Sequence, residues 1–321
     1  LLVAPGIEPG EVVAKDVILV LDTSGSMEGE KIAQARSAAR YVVEHLNADD
    51  RFAVVDFNTT VNRYAPTLLP PGEATAAATH IDTLFAAGGT NISGALLEAA
   101  ALVGPERPTT IIFLTDGLAT EGITDTGLLL ENVAAALPAN ARLFAFGVGD
   151  DVDTTLLDTL AQNHRGATTY VRPGQAIDEA VSAFYARVGA PVLTDIAIDF
   201  GGVAVHDVYP VQLPDLFAGT QLVVAGRYRT GGPTTITLSG TTNGRPQSFT
   251  YADQSFRVAG GEAFIPRLWA TRAIGHLMQQ IRLRGEDAEL VQSIVALSTR
   301  YGIITPYTSF LIEEDDIAAQ S

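Results

Sequence analysis

The most constraining feature of this sequence is a continuous apolar run at residues 17–21, which ends abruptly at Asp22. Most of its members are β-branched, and such runs are typical of parallel strands that are covered on both faces. Ser24 and Ser26 follow on either side of Gly25, which lets the backbone bend between them. We therefore predict a buried strand whose carboxyl end presents the oxygens of Asp22, Ser24 and Ser26 to one space.

Helical and strand periodicities alternate after this run as far as residue 190. The order predicts an α/β fold with a doubly wound, mostly parallel sheet. The predicted helices are residues 30–46, 92–102, 154–161 and 174–188, with a weaker one between Pro71 and Phe85. The predicted strands are residues 16–21, 51–57, 110–114, 142–148 and 167–171, with residues 61–68 as an antiparallel partner of the second.

Two further loops carry oxygen side chains at the predicted edge of this sheet. Thr90 follows a pair of glycines and precedes a helix, and Asp116 directly follows a buried strand. Ligands of open α/β sheets bind outside the carboxyl ends of the strands, so these loops are expected to meet the first one there. Mg²⁺ takes about six oxygen ligands, and Mn²⁺ or Ca²⁺ stays open as the physiological ion. Ser, Thr and Asp also cap helices, so a single turn of this kind leaves both interpretations open.

The three stretches Asp22-Thr-Ser-Gly-Ser, Gly-Gly-Thr90 and Leu-Thr-Asp116-Gly resemble, at every ligand position, the metal-ion-dependent adhesion site of von Willebrand factor A domains. The resemblance implies a Rossmann-like fold and a bound divalent cation. It also implies that Ser24, Ser26 and Thr90 are direct or near-direct ligands. Asp22 and Asp116 would hold the metal largely through waters.

The pattern changes at Pro191 to short alternating segments separated by turns, which is typical of a β-sandwich. The predicted strands are residues 193–200, 203–208, 221–228, 234–238 and 247–257, and amphipathic helices are predicted at 264–283 and 287–301. Residues 308–312 are expected to return as a strand. Trp269 and Phe264 are interpreted as core residues, because they share an apolar stripe with residues further along the first helix.

This second half resembles the region after the A domain in inter-alpha-trypsin inhibitor heavy chains and their bacterial relatives. The motifs that carry the likeness are Val208-Tyr209-Pro210, Phe264-Ile265-Pro266-Arg267-Leu268-Trp269-Ala270 and Ile304-Thr305-Pro306. In that family a further β domain, the VIT domain, precedes the A domain, and we expect this chain to lack it. The expected division is residues 1–15 as a strand added to the sandwich, 16–190 as the A domain, 191–258 as the sandwich, 259–305 as the helical pair, and 306–321 as a returning strand and tail.

Composition excludes several classes of function. The 37 acidic and 20 basic residues give a formal net charge of -17, which disfavours nucleic acid as a partner. The chain has no cysteine, so disulfides and thiolate chemistry are excluded. No apolar run is long enough to predict a transmembrane segment. Lys15 and Lys31 are the two lysines among the 20 basic residues, and the predominance of arginine is interpreted as a composition bias without functional weight.

Enzyme signatures are absent from the sequence: it has no HExxH, GxSxG or Walker motif. Asp150, Asp151 and Asp153 form an acidic cluster, which we interpret as a capped, solvated turn in preference to a second metal site.

We therefore expect a non-enzymatic adhesion module, extracellular or on the cell surface, that captures an Asp or Glu carboxylate of a protein partner through its cation. Two alternatives stay open: an intracellular assembly factor coupled to an ATPase, and a matrix protein of heavy-chain type. The sequence leaves the oligomeric state and the identity of the partner open.

Overall fold

The structure, a computed structural model, describes residues 2–3, 14–188, 191–217, 221–242, 245–258, 260–262 and 264–308. The strands of the first half are β1 (Leu2–Val3), β2 (Asp16–Asp22), β3 (Arg51–Phe57), β4 (Val61–Arg63), β5 (Thr109–Thr115), β6 (Ala141–Val148) and β7 (Thr168–Val171). Its helices are α1 (Glu30–Glu44), α2 (Ala74–Ile81), α3 (Ile92–Leu102), α4 (Thr126–Ala136), α5 (Thr154–Asn163) and α6 (Ile177–Val188).

A six-stranded sheet in the order β4-β3-β2-β5-β6-β7 forms the centre of the first half. Its strands are parallel except for β4, which pairs antiparallel with β3. The central strand β2 is buried along its whole length because helices cover both of its faces. Val17, Leu19 and Leu21 pack on the side of α1, α2 and α6, whereas Ile18 and Val20 pack on the side of α3, α4 and α5. This arrangement explains the continuous apolar run and confirms the predicted fold class.

The predicted elements of the first half match the observed ones within a few residues at most ends. Residues 51–57 and 92–102 have the predicted bounds, whereas the closing helix α6 begins at Ile177 and β4 is only three residues long. Helix α4 was not predicted. Its exposed side carries Leu128, which is 55% exposed, and this weakens the contrast between an apolar and a polar face.

The second half begins with strands β8 (Pro191–Asp199), β9 (Val205–Tyr209), β10 (Leu216–Phe217), β11 (Leu222–Val223), β12 (Ala225–Tyr228), β13 (Gly232–Thr242) and β14 (Arg245–Phe256). The region predicted to be a β-sandwich contains a four-stranded antiparallel sheet, β10-β8-β13-β14, and the two-stranded ladders β12-β9 and β1-β11. A small core is shared by the four-stranded sheet and β11, and its buried residues are Leu193, Leu216, Leu222, Val224 and Leu238.

Two helices, α7 (Phe264–Arg284) and α8 (Ala288–Tyr301), follow these strands and confirm the predicted helical pair. Trp269 is buried among Ala225, Ala270 and Ala273, and its indole nitrogen donates to the carbonyl of Asp207 at 2.8 Å. The core assignment of Phe264 was wrong, because this side chain is 62% exposed at the first turn of α7. Within the described part of the chain, no helix is both long and apolar enough to cross a membrane.

A buried ionic contact joins the two halves. Arg142 of β6 pairs with Asp215 and with Asp195, the latter at 3.0 Å. Burial raises the pKa of the Asp215 carboxyl, although the Arg142 guanidinium acts in the opposite direction. Phe217 of β10 also packs on Phe144 of β6, with ring centroids 5.7 Å apart.

Two predictions fall largely outside the described residues. Of the segment 1–15, Leu2 and Val3 pair antiparallel with Val223 and Leu222, while residues 4–13 are not described. Of the predicted returning strand at 308–312, Thr308 lies at the end of a short helical turn, and residues 309–312 are not described.

Candidate metal centre

The candidate centre lies where the central strands β2 and β5 end side by side. These strands pair in parallel, with Leu21 opposite Leu114, so Asp22 and Thr115 leave the sheet at the same level. The Thr115 hydroxyl donates to Asp22 Oδ2 at 2.5 Å, which joins the ends of the two strands. Asp116 is the next residue along the chain. The parallel register therefore brings together two carboxylates that are far apart in sequence.

Asp22 is fully buried and is held in one orientation by hydrogen bonds. Its Oδ1 accepts from the Ser24 backbone N–H at 2.7 Å, and its Oδ2 accepts from Thr115. Burial raises the pKa of the Asp22 carboxyl, whereas the hydrogen bonds from Ser24 and Thr115 act in the opposite direction. The Asp22 carboxylate is thus held in one position as a candidate metal ligand. Its buried environment disfavours a negative charge that no cation compensates.

A chain of hydroxyl contacts links the first loop to the second carboxylate. Ser24 Oγ lies 3.1 Å from Ser26 Oγ, and Ser26 Oγ donates to Asp116 Oδ1 at 2.7 Å. The other oxygen, Asp116 Oδ2, accepts from Lys31 Nζ at 2.6 Å. The structure therefore places Ser24, Ser26 and Asp116 in one continuous polar cluster.

The loop that carries Thr90 is fixed against the first loop by backbone hydrogen bonds. Gly25 N donates to the Gly88 carbonyl at 3.0 Å, and Ala87 N donates to the Thr23 carbonyl at 2.8 Å. Gly88 has φ +76°, and a Cβ there would lie 2.8 Å from Thr59 Oγ1, so the position requires glycine. Thr90 is itself held by the Thr120 hydroxyl, which accepts from the Thr90 N–H at 2.8 Å.

Gly117 shows that Thr90 and Ser26 face the same space. A Cβ atom at Gly117 would lie 3.8 Å from both Ser26 Oγ and Thr90 Oγ1, so the two hydroxyls lie within van der Waals contact distance of one point beside this glycine. The structure thus brings all five predicted residues to one edge of the sheet: Asp22, Ser24, Ser26, Thr90 and Asp116.

The donor set fits a hard cation. It consists of two carboxylates and three hydroxyls, and oxygen is the ligand that Mg²⁺ and Ca²⁺ require. In the described residues no group of three or more His, Cys, Asp or Glu side chains is arranged to hold a metal. A cation at this edge would therefore be held by a set that is poor in carboxylates, and it would keep affinity for a further anionic ligand.

The sequence-based prediction missed two neighbours of the candidate centre. Thr115 appeared in the motif without a role, and the structure gives it the bond that orients Asp22. Lys31 was given no role, because the predominance of arginine was interpreted as composition bias, but its ammonium pairs with Asp116 across 85 residues of sequence. The other lysine, Lys15, pairs in the same way with the buried carboxylate of Asp50, at 2.8 Å. Both lysines of the chain thus lie beside buried aspartates.

The acidic cluster after β6 behaves as a helix cap. The Asp153 carboxylate accepts from the Leu156 N–H at 2.9 Å and caps α5, while Asp150 and Asp151 are exposed. These contacts support the interpretation of the cluster as a capped, solvated turn.

Comparisons with known proteins agree with this architecture. The family model of the von Willebrand factor type A domain matches residues 16–182. Human inter-alpha-trypsin inhibitor heavy chain H4 is 31% identical over 332 residues, covering 96% of this chain and 36% of that protein. Human heavy chain H6 is 30% identical over 348 residues, covering 98% of this chain and 26% of that protein.

A solved structure resembles the fold as a whole. The von Willebrand factor type A protein from Catenulispora acidiphila superposes with a TM-score of 0.64 at 17% identity, covering 90% of this chain and 80% of that one. The match covers 36% of heavy chain H4 and 26% of heavy chain H6, so the chain spans well under half the length of these relatives. Its similarity to them reaches beyond the A domain into the second half. The chain belongs to the von Willebrand factor type A domain family, with relatives among the inter-alpha-trypsin inhibitor heavy chains.

Proposed function

We propose that this chain is a non-enzymatic protein-interaction module that captures an Asp or Glu carboxylate of a partner through a divalent cation. The cation would be held by Asp22, Ser24, Ser26, Thr90 and Asp116. The main support is the hydrogen-bonded chain Ser24–Ser26–Asp116, which links two loops around one space beside a second buried carboxylate. Membership of the von Willebrand factor type A family supports the same assignment.

The residues around the centre prepare it for this role. A bound Mg²⁺ supplies a positively charged contact for an anionic oxygen. Thr115 and the Ser24 N–H orient Asp22, and the backbone bonds to Ala87 and Gly88 hold the Thr90 loop in place. Preorganisation of this kind reduces the ordering that binding would otherwise require.

Apolar side chains next to these loops provide a surface for the rest of the partner. Leu118, two residues after Asp116, is 55% exposed, and Phe85, in the loop before Gly88, is 72% exposed. Exposed apolar residues beside a charged anchor are typical of interaction surfaces. The partner segment would accordingly place apolar residues near its acidic residue.

Mg²⁺ is the proposed ion, with Mn²⁺ and Ca²⁺ as candidates for the same oxygen set. An extracellular or cell-surface location is proposed from the similarity to the heavy chains, which covers 96% of this chain. The partner is proposed to be a protein, since the formal net charge of -17 disfavours nucleic acid.

Calorimetric titration tests the proposal. Mg²⁺, Mn²⁺ and Ca²⁺ are titrated separately into EDTA-treated protein and into an Asp22→Ala, Asp116→Ala double variant. The wild type is expected to give saturable binding of at least one ion, and the double variant none. An Asp150→Ala, Asp151→Ala double variant removes the same charge from exposed positions and should bind like the wild type. Equal behaviour of the wild type and the Asp22→Ala, Asp116→Ala variant would overturn the proposal.

A further inference from the structure

Lys31 brings a positive charge to the edge of the candidate centre. It lies in the first turn of α1, and its Nζ donates to Asp116 Oδ2 at 2.6 Å and to the Ser26 carbonyl at 3.4 Å. The Asp116 side chain is 0% exposed, whereas that of Lys31 is 39% exposed. The ammonium therefore touches both a buried carboxylate of the centre and the surface at which a partner would arrive.

The charges around the centre determine what it can accept. With a cation bound to compensate them, the carboxylates of Asp22 and Asp116 would each contribute one negative charge, and Lys31, which pairs with Asp116, would contribute one positive charge. A divalent cation among these groups leaves a net charge of one positive unit, which a single carboxylate neutralises. Without Lys31 the same cation would leave the centre neutral, and a carboxylate would then make it negative.

Other acidic residues near these loops affect this balance less. Glu28 and Glu30 are exposed to solvent, and Glu121 is partly exposed. Charges that reach water interact through a high effective dielectric, so each counts for less than the ammonium in contact with Asp116.

We propose that Lys31 supplies the net positive charge by which the cation-loaded centre accepts one partner carboxylate, and that the same charge weakens binding of the cation itself. The inference rests on the proposed function. Lys31 is a positioning and specificity-determining residue in this account, because it acts on the partner's anion and competes with the cation for Asp116.

Removal of the Lys31 charge should strengthen binding of the cation and weaken binding of the carboxylate. Replacing Lys31 by Met removes a unit charge next to a cation ligand, so Mg²⁺ should bind about fivefold more tightly. Acetate serves as the probe for the partner's carboxylate: in wild type it should raise the apparent Mg²⁺ affinity relative to chloride at equal ionic strength. In Lys31→Met that acetate-dependent gain should disappear. A merely structural lysine would move neither quantity in these directions.

Lys15 offers a matched control. It is the other lysine of the chain, and it also pairs with a buried aspartate, Asp50, at the amino ends of the strands, at the opposite end of the sheet from the candidate centre. Lys15→Met should lower stability while leaving the Mg²⁺ affinity and the acetate effect unchanged. Lys31→Arg keeps the charge and should resemble wild type, and Lys31→Gln repeats the measurement should the Met variant be poorly folded.

The outcomes separate this inference from the proposed function. Saturable Mg²⁺ binding in wild type, with the same affinity and the same acetate effect in Lys31→Met, would overturn the role of Lys31 alone. Absence of Mg²⁺ binding in wild type would overturn both. Tighter Mg²⁺ binding together with loss of the acetate effect in Lys31→Met, but not in Lys31→Arg, would support the inference.

Discussion

The two ends of strand β2 hold buried aspartates in different ways. At the amino end, Asp50 accepts four hydrogen bonds from nitrogen donors: Lys15 N at 3.0 Å, Lys15 Nζ at 2.8 Å, Asn47 N at 2.9 Å and Asn47 Nδ2 at 2.9 Å. Nearby, Arg51 donates twice to Asp16, at 2.8 Å from both Nε and Nη2. Nitrogen donors satisfy the carboxylate oxygens at this end, so a metal ion would find no free ligand there.

At the carboxyl end, hydroxyl oxygens make up half of the hydrogen-bond donors to the two aspartates. Asp22 accepts from Ser24 N and the Thr115 hydroxyl, and Asp116 accepts from the Ser26 hydroxyl and Lys31. A hydroxyl oxygen keeps its lone pairs after its O–H donates a hydrogen bond. It can therefore bind a cation while it donates to a carboxylate. The comparison indicates that the kind of donor around a buried aspartate, more than its burial, separates a structural ion pair from a candidate metal centre.

The largest expected effect is at the amino end. Asp50→Ala leaves the Lys15 ammonium, which is 5% exposed, without its carboxylate, and should lower the free energy of unfolding by about 3–5 kcal/mol. Urea denaturation measures the change. Mg²⁺ binding by the folded protein should stay as in wild type. A loss below about 1 kcal/mol would show that water reaches this end of the strand and would weaken the comparison.

Thr115→Val tests the carboxyl end at the neighbouring strand. It removes the hydroxyl that donates to Asp22 at 2.5 Å, so the free energy of unfolding should fall by about 1–3 kcal/mol. The Mg²⁺ affinity should fall about tenfold, because Asp22, a candidate metal ligand, loses one of the hydrogen bonds that orient its side chain. Thermal unfolding and calorimetric titration give the two quantities.

Thr109 provides the control for this substitution, because it lies at the start of the same strand. It is 0% exposed, and its hydroxyl has no hydrogen-bond partner among the described residues. Thr109→Val should therefore cause little or no loss of stability and no change in Mg²⁺ affinity. Equal effects of the two substitutions would mean that the Thr115–Asp22 bond has no special role.

The smallest effect is expected in the acidic cluster after β6. Asp153→Ala removes the N-cap of α5 and should lower the free energy of unfolding by about 1 kcal/mol, without a change in Mg²⁺ affinity. Asp151→Ala, at an exposed position nearby, should stay within about 0.5 kcal/mol of wild type. Weaker Mg²⁺ binding in Asp153→Ala would indicate that the cluster takes part in ion binding.

The strands of the first half could be predicted from the sequence because burial on both faces makes them continuous apolar runs. The five candidate ligands could be predicted because they lie at or near the carboxyl ends of strands or beside glycines, and because their three stretches resemble the von Willebrand factor A motif at every ligand position. Their role in binding metal stays a prediction. The β region was recognised from its short alternating strands, while its pairing depends on contacts between distant residues.

The remaining features depend on tertiary structure. Lys31 meets Asp116 only because α1 and β5 pack against the same strand, and no local pattern records this contact. Helix α4 escaped prediction because an exposed leucine blurs its polar face. Phe264 belongs to an apolar stripe of α7, but the first turn of this helix, residues 264–267, is exposed, and periodicity alone could not show this.

Thermal unfolding of three proteins, in EDTA and in saturating MgCl₂, tests the central claim most directly: wild type, Asp116→Asn and Asp50→Asn. A ligand that binds only the folded protein raises its unfolding temperature. The account predicts that Mg²⁺ stabilises the wild type and Asp50→Asn, although the latter starts from a lower temperature, and that it does not stabilise Asp116→Asn. Equal stabilisation of Asp116→Asn and wild type by Mg²⁺ would contradict the assignment of the metal centre to the carboxyl end of the sheet.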